Sequence, residues 1–282
     1  MDGAYYLTNT SDGDATNVIV KLEKPYGNSP FWGSLSYTWG ESNVVNEGTS
    51  SRAVSNWRYM ETTDPNNQAI STSDFQVEHR LMAVLNYEFN RDSRWSTMVS
   101  MIFNRQSGKP YSTLMSSDRN ATPDYYASIN GDDYGYNDLL YIPSGPDQVE
   151  LQGGTWDEFT AYLDKYGLSK YMGKVVPRNA TNQPWVTQTD LAIRQNIPVP
   201  GKSSLQVSLD IFNFWNLIDD ESGLVRYVNY GNVTPLRYMG QNDDDLPIYQ
   251  LWDLVTNPDE DIFYFNDLKS RWRMRLGVRW TF

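Results

Sequence analysis

The last eleven residues of the chain alternate strictly between apolar and polar side chains. Every even position from Trp272 to Phe282 is apolar, and every odd position between them is polar or glycine. Successive side chains of a β-strand point to opposite faces, so the pattern predicts a strand with one fully apolar face. Eleven residues rise roughly 36 Å, which at a tilt of about 45° crosses about 25 Å, the apolar band of a membrane β-barrel.

We predict different surroundings for the two faces of this terminal strand. Aromatic residues at both ends of the apolar face are typical of membrane interfaces. The residues that we predict to face lipid are Trp272, Leu276, Val278, Trp280 and Phe282. The residues that we predict to face the lumen are Asp210, Arg273, Arg275 and Arg279. Because Asp210 ends a neighbouring strand at the same height, we expect it to pair with Arg273 or Arg275.

Six upstream segments repeat the alternation, namely 16–22, 31–39, 81–89, 95–103, 191–197 and 205–211. Short turns rich in Pro, Gly, Asn and Asp alternate with long polar connections over about 40–76, 106–185 and 213–270. Short periplasmic turns alternating with long extracellular loops are typical of outer-membrane barrels. The pattern therefore predicts an all-β fold, an antiparallel up-and-down transmembrane β-barrel segment of about seven strands.

One helix is expected within the long extracellular loops. Thr155 and Glu158 have the spacing of a capping box, and Gly167 suits a helix C-terminus. Apolar side chains recur at helical spacing at Trp156, Phe159, Leu163 and Tyr166. The pattern predicts a short helix over 155–166 that packs on neighbouring loops.

Composition agrees with a barrel and excludes some partners. The chain has 10 Trp and 20 Tyr among 282 residues, yet its mean hydropathy is only −0.60. A barrel explains both values, because aromatic girdles mark the membrane interfaces while the lumen and loops stay polar. A net charge of −12 disfavours nucleic acid, which needs a basic surface. The absence of cysteine excludes disulfides and thiolate metal sites.

Candidate catalytic chemistry is sparse. His79 is the only histidine, so a catalytic triad or a histidine-rich metal centre would depend on it. Its position at a strand entrance beside Arg80 favours a structural role at the membrane interface. We expect no enzymatic activity and no cofactor other than a possible Ca²⁺ ion.

The candidate Ca²⁺ site lies in the segment 129–138, where oxygen-bearing side chains recur at short intervals. The candidate ligands are Asn130, Asp132, Asp133 and Asp138. The segment lacks the leading Asp and terminal Glu of an EF-hand loop, so an ordinary polar turn is the alternative. Three acidic clusters in the last long loop, at 219–221, 243–245 and 259–261, are expected to be solvated. Their alternative role is to bridge divalent cations to lipopolysaccharide.

Several stretches carry a family resemblance through their order and spacing. They include Ser107-Gly-Lys-Pro-Tyr-Ser, Asn137-Asp-Leu-Leu-Tyr-Ile-Pro, Leu205-Gln-Val-Ser-Leu-Asp-Ile-Phe-Asn and the terminal aromatic strand. Together these stretches resemble the C-terminal region of TonB-dependent receptors of the Oar-like type, found in Bacteroidetes and related bacteria. The similarity extends over nearly the whole chain.

The resemblance implies that residues 1–282 are the C-terminal part of a receptor barrel in the bacterial outer membrane. The signal peptide, the plug and the early strands of such a receptor are not in this sequence. The implied function is uptake of a large or scarce solute of unknown identity. The implied partners are outer-membrane lipid and, through the plug region, the TonB complex. The alternatives are a soluble β-sandwich that binds carbohydrate through its Trp and Tyr residues, and a passive porin or adhesion barrel.

Overall fold

A computed structural model describes residues 4–117, 128–132, 134–201 and 203–282. The strands in these ranges are Gly13–Lys24 (β1), Phe31–Val44 (β2), Ser71–Thr72 (β3), His79–Phe89 (β4), Thr97–Gln106 (β5), Pro110–Ser117 (β6), Tyr141–Ile142 (β7), Glu150–Gln152 (β8), Lys174–Val175 (β9), Thr181–Asn182 (β10), Val186–Pro198 (β11), Ser204–Phe212 (β12), Arg226–Tyr227 (β13), Asn232–Gln241 (β14), Pro247–Leu251 (β15), Tyr264–Phe265 (β16) and Arg273–Thr281 (β17). The α-helices are Ala53–Arg58 (α1), Trp156–Lys165 (α2), Phe214–Ile218 (α3), Asp253–Thr256 (α4) and Asp267–Ser270 (α5).

Seven long strands form one antiparallel sheet in the order β1-β2-β4-β5-β11-β12-β17, which we call the wall sheet. The short strand β3 adds to the end of β2. These seven strands coincide with the seven segments predicted from alternation, which confirms a large antiparallel sheet. The order of the seven strands in the wall sheet is also their order along the chain. Each neighbouring pair is joined by either a short turn or a long connection.

The register of the wall sheet places its apolar positions on one face. One row of paired residues crosses from β4 to β17 through Leu85, Met101, Leu191, Ile211 and Met274. The apolar face lacks a protein cover near its end, where Leu276, Val278 and Trp280 are 73%, 69% and 67% exposed. A sandwich would bury these side chains between two sheets, so the exposure argues against the soluble β-sandwich alternative.

The wall sheet is open at both sides in the described residues. There β1 pairs only with β2, and β17 pairs only with β12. Every residue of β1 is exposed. An unpaired edge offers a row of free backbone N–H and C=O groups, so both edges are able to accept a further strand.

The long connections fold far more than their polar composition predicts. They contain a second sheet in the order β10-β6-β14-β15-β8, in which β14 pairs in parallel with β6. With α2 and α4 this second sheet forms what we call the loop unit. The prediction of loops with only one short helix was wrong, because the described residues contain five α-helices. The predicted helix itself is present as α2, and Thr155 and Glu158 form its capping box.

The loop unit has a hydrophobic core of its own. Phe159, Leu163 and Leu236 are fully buried in it. They belong to one cluster of residues from the two connections 106–185 and 213–270. The first six residues of β6 are all buried, so this strand shows no alternation between apolar and polar faces. Strands that are covered by protein on both sides lose the period of two, which explains why the sequence pattern did not reveal them.

Candidate functional site

A charged cluster lies on the polar face of the wall sheet. The Asp210 carboxylate accepts hydrogen bonds from Arg275 Nη2 at 2.8 Å and Arg275 Nε at 3.1 Å, and from Arg194 Nη2 at 3.3 Å. The predicted pairing of Asp210 with Arg275 is therefore confirmed, whereas the Arg273 guanidinium lies over the Phe212 ring. One carboxylate between two guanidinium groups is electrostatically satisfied, which suits a structural role on this face.

The remaining residues of the terminal strand lie on the faces that alternation assigns to them. Arg279 pairs in register with Gln206, on the same face as Asp210. Trp280 and Val278 pair with Leu205 and Val207 on the opposite face. The assignment of these faces to lumen and lipid stays a prediction at this point.

A cavity of about 560 Å³ lies where the loop unit meets the polar face of the wall sheet. Its wall-sheet side includes Gln106 and Val186, which pair with each other on the polar face at the ends of β5 and β11. Its other side is built from the last long connection, around Tyr227, Tyr230 and Lys269. The cavity therefore opens between the two sheets and above the polar face.

The cavity lining combines both signs of charge with aromatic rings. Glu61 and Asp74 supply carboxylates, and Lys109 and Lys269 supply ammonium groups. Burial is the main reason why the pKa of Glu61 is raised above its ordinary value. The Asn232 side-chain amide donates a hydrogen bond to Glu61 at 3.5 Å. Such a lining can bind a polar solute through hydrogen bonds and ring contacts.

Tyr230 stands out among the lining residues. Its side chain is 92% exposed, and its backbone has a φ of 54°, a conformation that side chains of this size rarely adopt. Strained backbone of this kind is concentrated at binding sites and clamps. The ring is exposed at the rim of the cavity, where it is free to contact a solute.

The floor of the cavity depends on one close backbone approach. A Cβ atom on Gly108 would lie 2.0 Å from the carbonyl oxygen of Gln183. The Gln183 N–H donates a hydrogen bond to the Lys109 carbonyl at 2.9 Å. Only glycine fits between these two segments, which explains the glycine of the stretch 107–112.

Sequence reasoning did not identify the cavity residues as a site. Glu61, Lys109 and Tyr230 come from three different connections, and only the tertiary structure brings them together. The stretch 107–112 was noticed as part of the family resemblance, but nothing in it pointed to a cavity. The sequence contains no signal for the left-handed backbone of Tyr230.

The predicted Ca²⁺ segment forms a hydrogen-bonded loop in its described part. Asp138 accepts bonds from the backbone N–H groups of residues 129 and 130, and Asn130 is one of those donors. Asp132 accepts from the Asn137 amide at 2.6 Å. The described residues hold no group of three or more His, Asp or Glu side chains suited to a metal ion. Asp133 lies outside the described residues, and the Ca²⁺ prediction stays untested.

His79 takes part in a stack of side chains at the loop-unit end of the apolar face. Its ring stacks on Trp185 with a centroid distance of 5.8 Å, and its Nδ1 lies 2.8 Å from the Tyr37 hydroxyl. The Arg105 guanidinium lies over the Trp185 ring, 5.3 Å from the ring centre. We call these four residues, Tyr37, His79, Trp185 and Arg105, the rim ladder.

The structure and the comparisons together define the class of protein. No helix in the described residues is long and apolar enough to cross a membrane. An antiparallel sheet with one exposed apolar face, aromatic residues at its ends and folded loops at one end is the architecture of an outer-membrane barrel wall.

A family model described as an outer membrane beta barrel domain matches residues 6–219, so the chain belongs to that family and is located in the bacterial outer membrane. Comparison with curated proteins and with solved structures gave no significant match. The family match reaches from the segment before β1 through α3. Domains of this family are generally not enzymes.

Proposed function

We propose that this chain forms part of the barrel wall of a TonB-dependent outer-membrane transporter, and that it takes up a large or scarce solute. In this proposal the apolar face of the wall sheet contacts lipid, and the polar face lines the lumen. The loop unit then lies outside the cell, and the short turns lie in the periplasm.

The observation that carries the proposal is the combination of an open wall sheet with a folded loop unit. Small barrels of eight strands close on themselves, whereas this sheet of seven long strands leaves both β1 and β17 free in the described residues. Further strands are needed to close it, and in this proposal they complete a wide barrel with room for a plug. In the proposed orientation the cavity above the polar face, with Glu61 and Tyr230 in its lining, would be the first site that an incoming solute meets.

The orientation is testable by labelling intact cells. The sequence contains no cysteine, so single substitutions provide unique attachment points. We expect Tyr230→Cys to react with a membrane-impermeant maleimide on intact cells. Asn28→Cys, in the short turn between β1 and β2, serves as the control and should react only after the outer membrane is opened. The reverse pattern would contradict the proposed orientation.

The transport mechanism is testable with the full-length protein. In planar bilayers containing 1 M KCl, we expect little conductance, because a plug blocks the lumen. We also expect binding to the purified periplasmic domain of TonB, and loss of that binding when the N-terminal plug region is deleted. A stable open channel without TonB binding would favour the passive porin instead.

A further inference from the structure

We propose that the rim ladder binds the phosphate group of the glycolipid that forms the outer leaflet of the outer membrane. This inference rests on the orientation in the proposed function, and it adds a lipid site on the side opposite to the solute cavity. The occupant is a phosphorylated lipid A headgroup next to the barrel, and its phosphate would contact Arg105.

Arg105 is a permanent cation on a face that is otherwise mostly apolar. It pairs in register with Leu81 of β4 and Thr187 of β11, which places its side chain on the apolar face. No carboxylate lies within ion-pair distance of Arg105 in the described part of the chain, and the Glu78 carboxylate lies 3.5 Å from Nε2 of His79 in the same ladder. Asp210 on the polar face, in contrast, pairs with two arginines. A guanidinium group cannot lose its proton in a protein, so this exposed charge is available to an anion from outside the chain.

The stacked rings of the rim ladder set the position of the Arg105 guanidinium along the wall sheet. The guanidinium rests on Trp185, which stacks on His79 with an angle of 9° between the rings. Tyr37 then joins β2 to His79 through its hydroxyl. Tryptophan and tyrosine prefer the headgroup level of a membrane, and an arginine stacked on tryptophan stays at the same level.

The chemistry of the outer leaflet supplies the matching anion. Its glycolipid carries phosphate groups at the level where the apolar band ends, and arginine binds phosphate in a planar, two-pronged geometry. The acyl chains would lie along the apolar face below, where Leu35 and Ile193 are partly exposed. Charge, depth and apolar surface therefore suit one amphipathic ligand.

The opposite face provides a matched control. Arg80 lies at the same end of the sheet but pairs in register with Gln106 on the polar face. Its Nε donates to Asn104 at 2.8 Å, and its side chain is exposed. Arg80→Gln therefore removes one charge at a similar height without touching the rim ladder.

The test uses the full-length protein in nanodiscs of neutral phosphatidylcholine with a small fraction of monophosphoryl lipid A. Native mass spectrometry counts the lipid A molecules that stay bound when the protein is released from the nanodisc. We expect Arg105→Gln to weaken retention about fivefold, the factor expected for one basic residue beside an anionic lipid surface. Arg105→Lys should keep part of the retention, and Arg80→Gln should keep all of it.

Several results would overturn the inference. Unchanged retention in Arg105→Gln would remove the role of the ladder, and equal losses in Arg105→Gln and Arg80→Gln would show non-specific attraction. Equal retention of fully dephosphorylated lipid A would exclude phosphate recognition. Equal binding of phosphatidylglycerol would show a general anion site and not a glycolipid site. The cysteine labelling of Tyr230→Cys tests the orientation separately, so a failure of the proposed function is distinguishable from a failure here.

Discussion

The wall sheet and the loop unit are stabilised by different environments. In the wall sheet the large apolar side chains near the terminal strand are exposed, and only Ala83 and Ile211 are buried among its apolar residues. In the loop unit a compact cluster that includes Phe159, Leu163 and Leu236 is buried almost completely. The comparison shows that two regions of one chain leave their apolar side chains in different surroundings, one exposed and the other inside a protein core. The loop unit folds around its own core like a soluble domain, whereas in the proposed orientation hydrocarbon covers the apolar face of the wall sheet.

The largest effect should come from a matched pair of leucine truncations. Leu163→Ala removes a side chain that is 0% exposed in the loop unit, and we expect a loss of about 2–5 kcal/mol in unfolding free energy. Leu276→Ala removes an exposed side chain of the wall sheet, and lipid chains can fill the space, so its effect should be far smaller. Urea unfolding of the refolded protein in detergent measures both. Equal losses would contradict the difference between the two regions.

The next largest difference should come from introducing one arginine on the apolar face and, separately, one on the polar face of the wall sheet. We expect Leu276→Arg to cost about 2–4 kcal/mol, because it places a charge on the lipid face near the middle of the membrane. Ser100→Arg is the control, because Ser100 lies on the polar face between the uncharged residues Asn86 and Ala192. Heat-modifiability on gels reports how much of each variant folds. Similar folded fractions would show that lipid does not cover the apolar face.

The Asp210 cluster should give a moderate effect inside the wall sheet. Asp210→Asn leaves Arg194 and Arg275 without their shared carboxylate, and we expect a loss of about 1–2 kcal/mol. The value is kept low because Arg275 is largely exposed, so solvent screens this pair. A double-mutant cycle of Asp210→Asn and Arg275→Gln measures the coupling. Additive effects would show that the hydrogen bonds contribute nothing to stability.

The smallest effect concerns Glu61 at the boundary of the two regions. Because burial raises its pKa, the folded state favours the protonated carboxyl group, so stability falls as the pH rises above the unfolded pKa. Glu61→Gln removes this cost and should raise the melting temperature at neutral pH. The gain should shrink as the pH falls through the unfolded pKa and vanish at pH 3, where the wild-type carboxyl group is protonated in both states. An equal gain at both pH values would exclude the ionisation as its cause.

The predictions from sequence succeeded where one local pattern decided the structure. The terminal strand, the other six wall strands and helix α2 were all visible from spacing and capping residues, and the Asp210–Arg275 pair followed from their register. The candidate Ca²⁺ segment has no test, and the solute cavity was missed. Its residues Glu61, Lys109 and Tyr230 lie too far apart in sequence for a local pattern to join them.

The sequence by itself determined the wall sheet, because the contrast between an apolar face and a polar face imposes a period of two on every strand. Only the tertiary structure decided the loop unit. There β6 and β14 pair in parallel across more than a hundred residues, and protein covers both sides of β6. When both faces of a strand are buried in the same protein interior, neither face requires polar side chains, so apolar and polar residues do not alternate along the strand. The arrangement then depends on which distant segments bury each other's side chains.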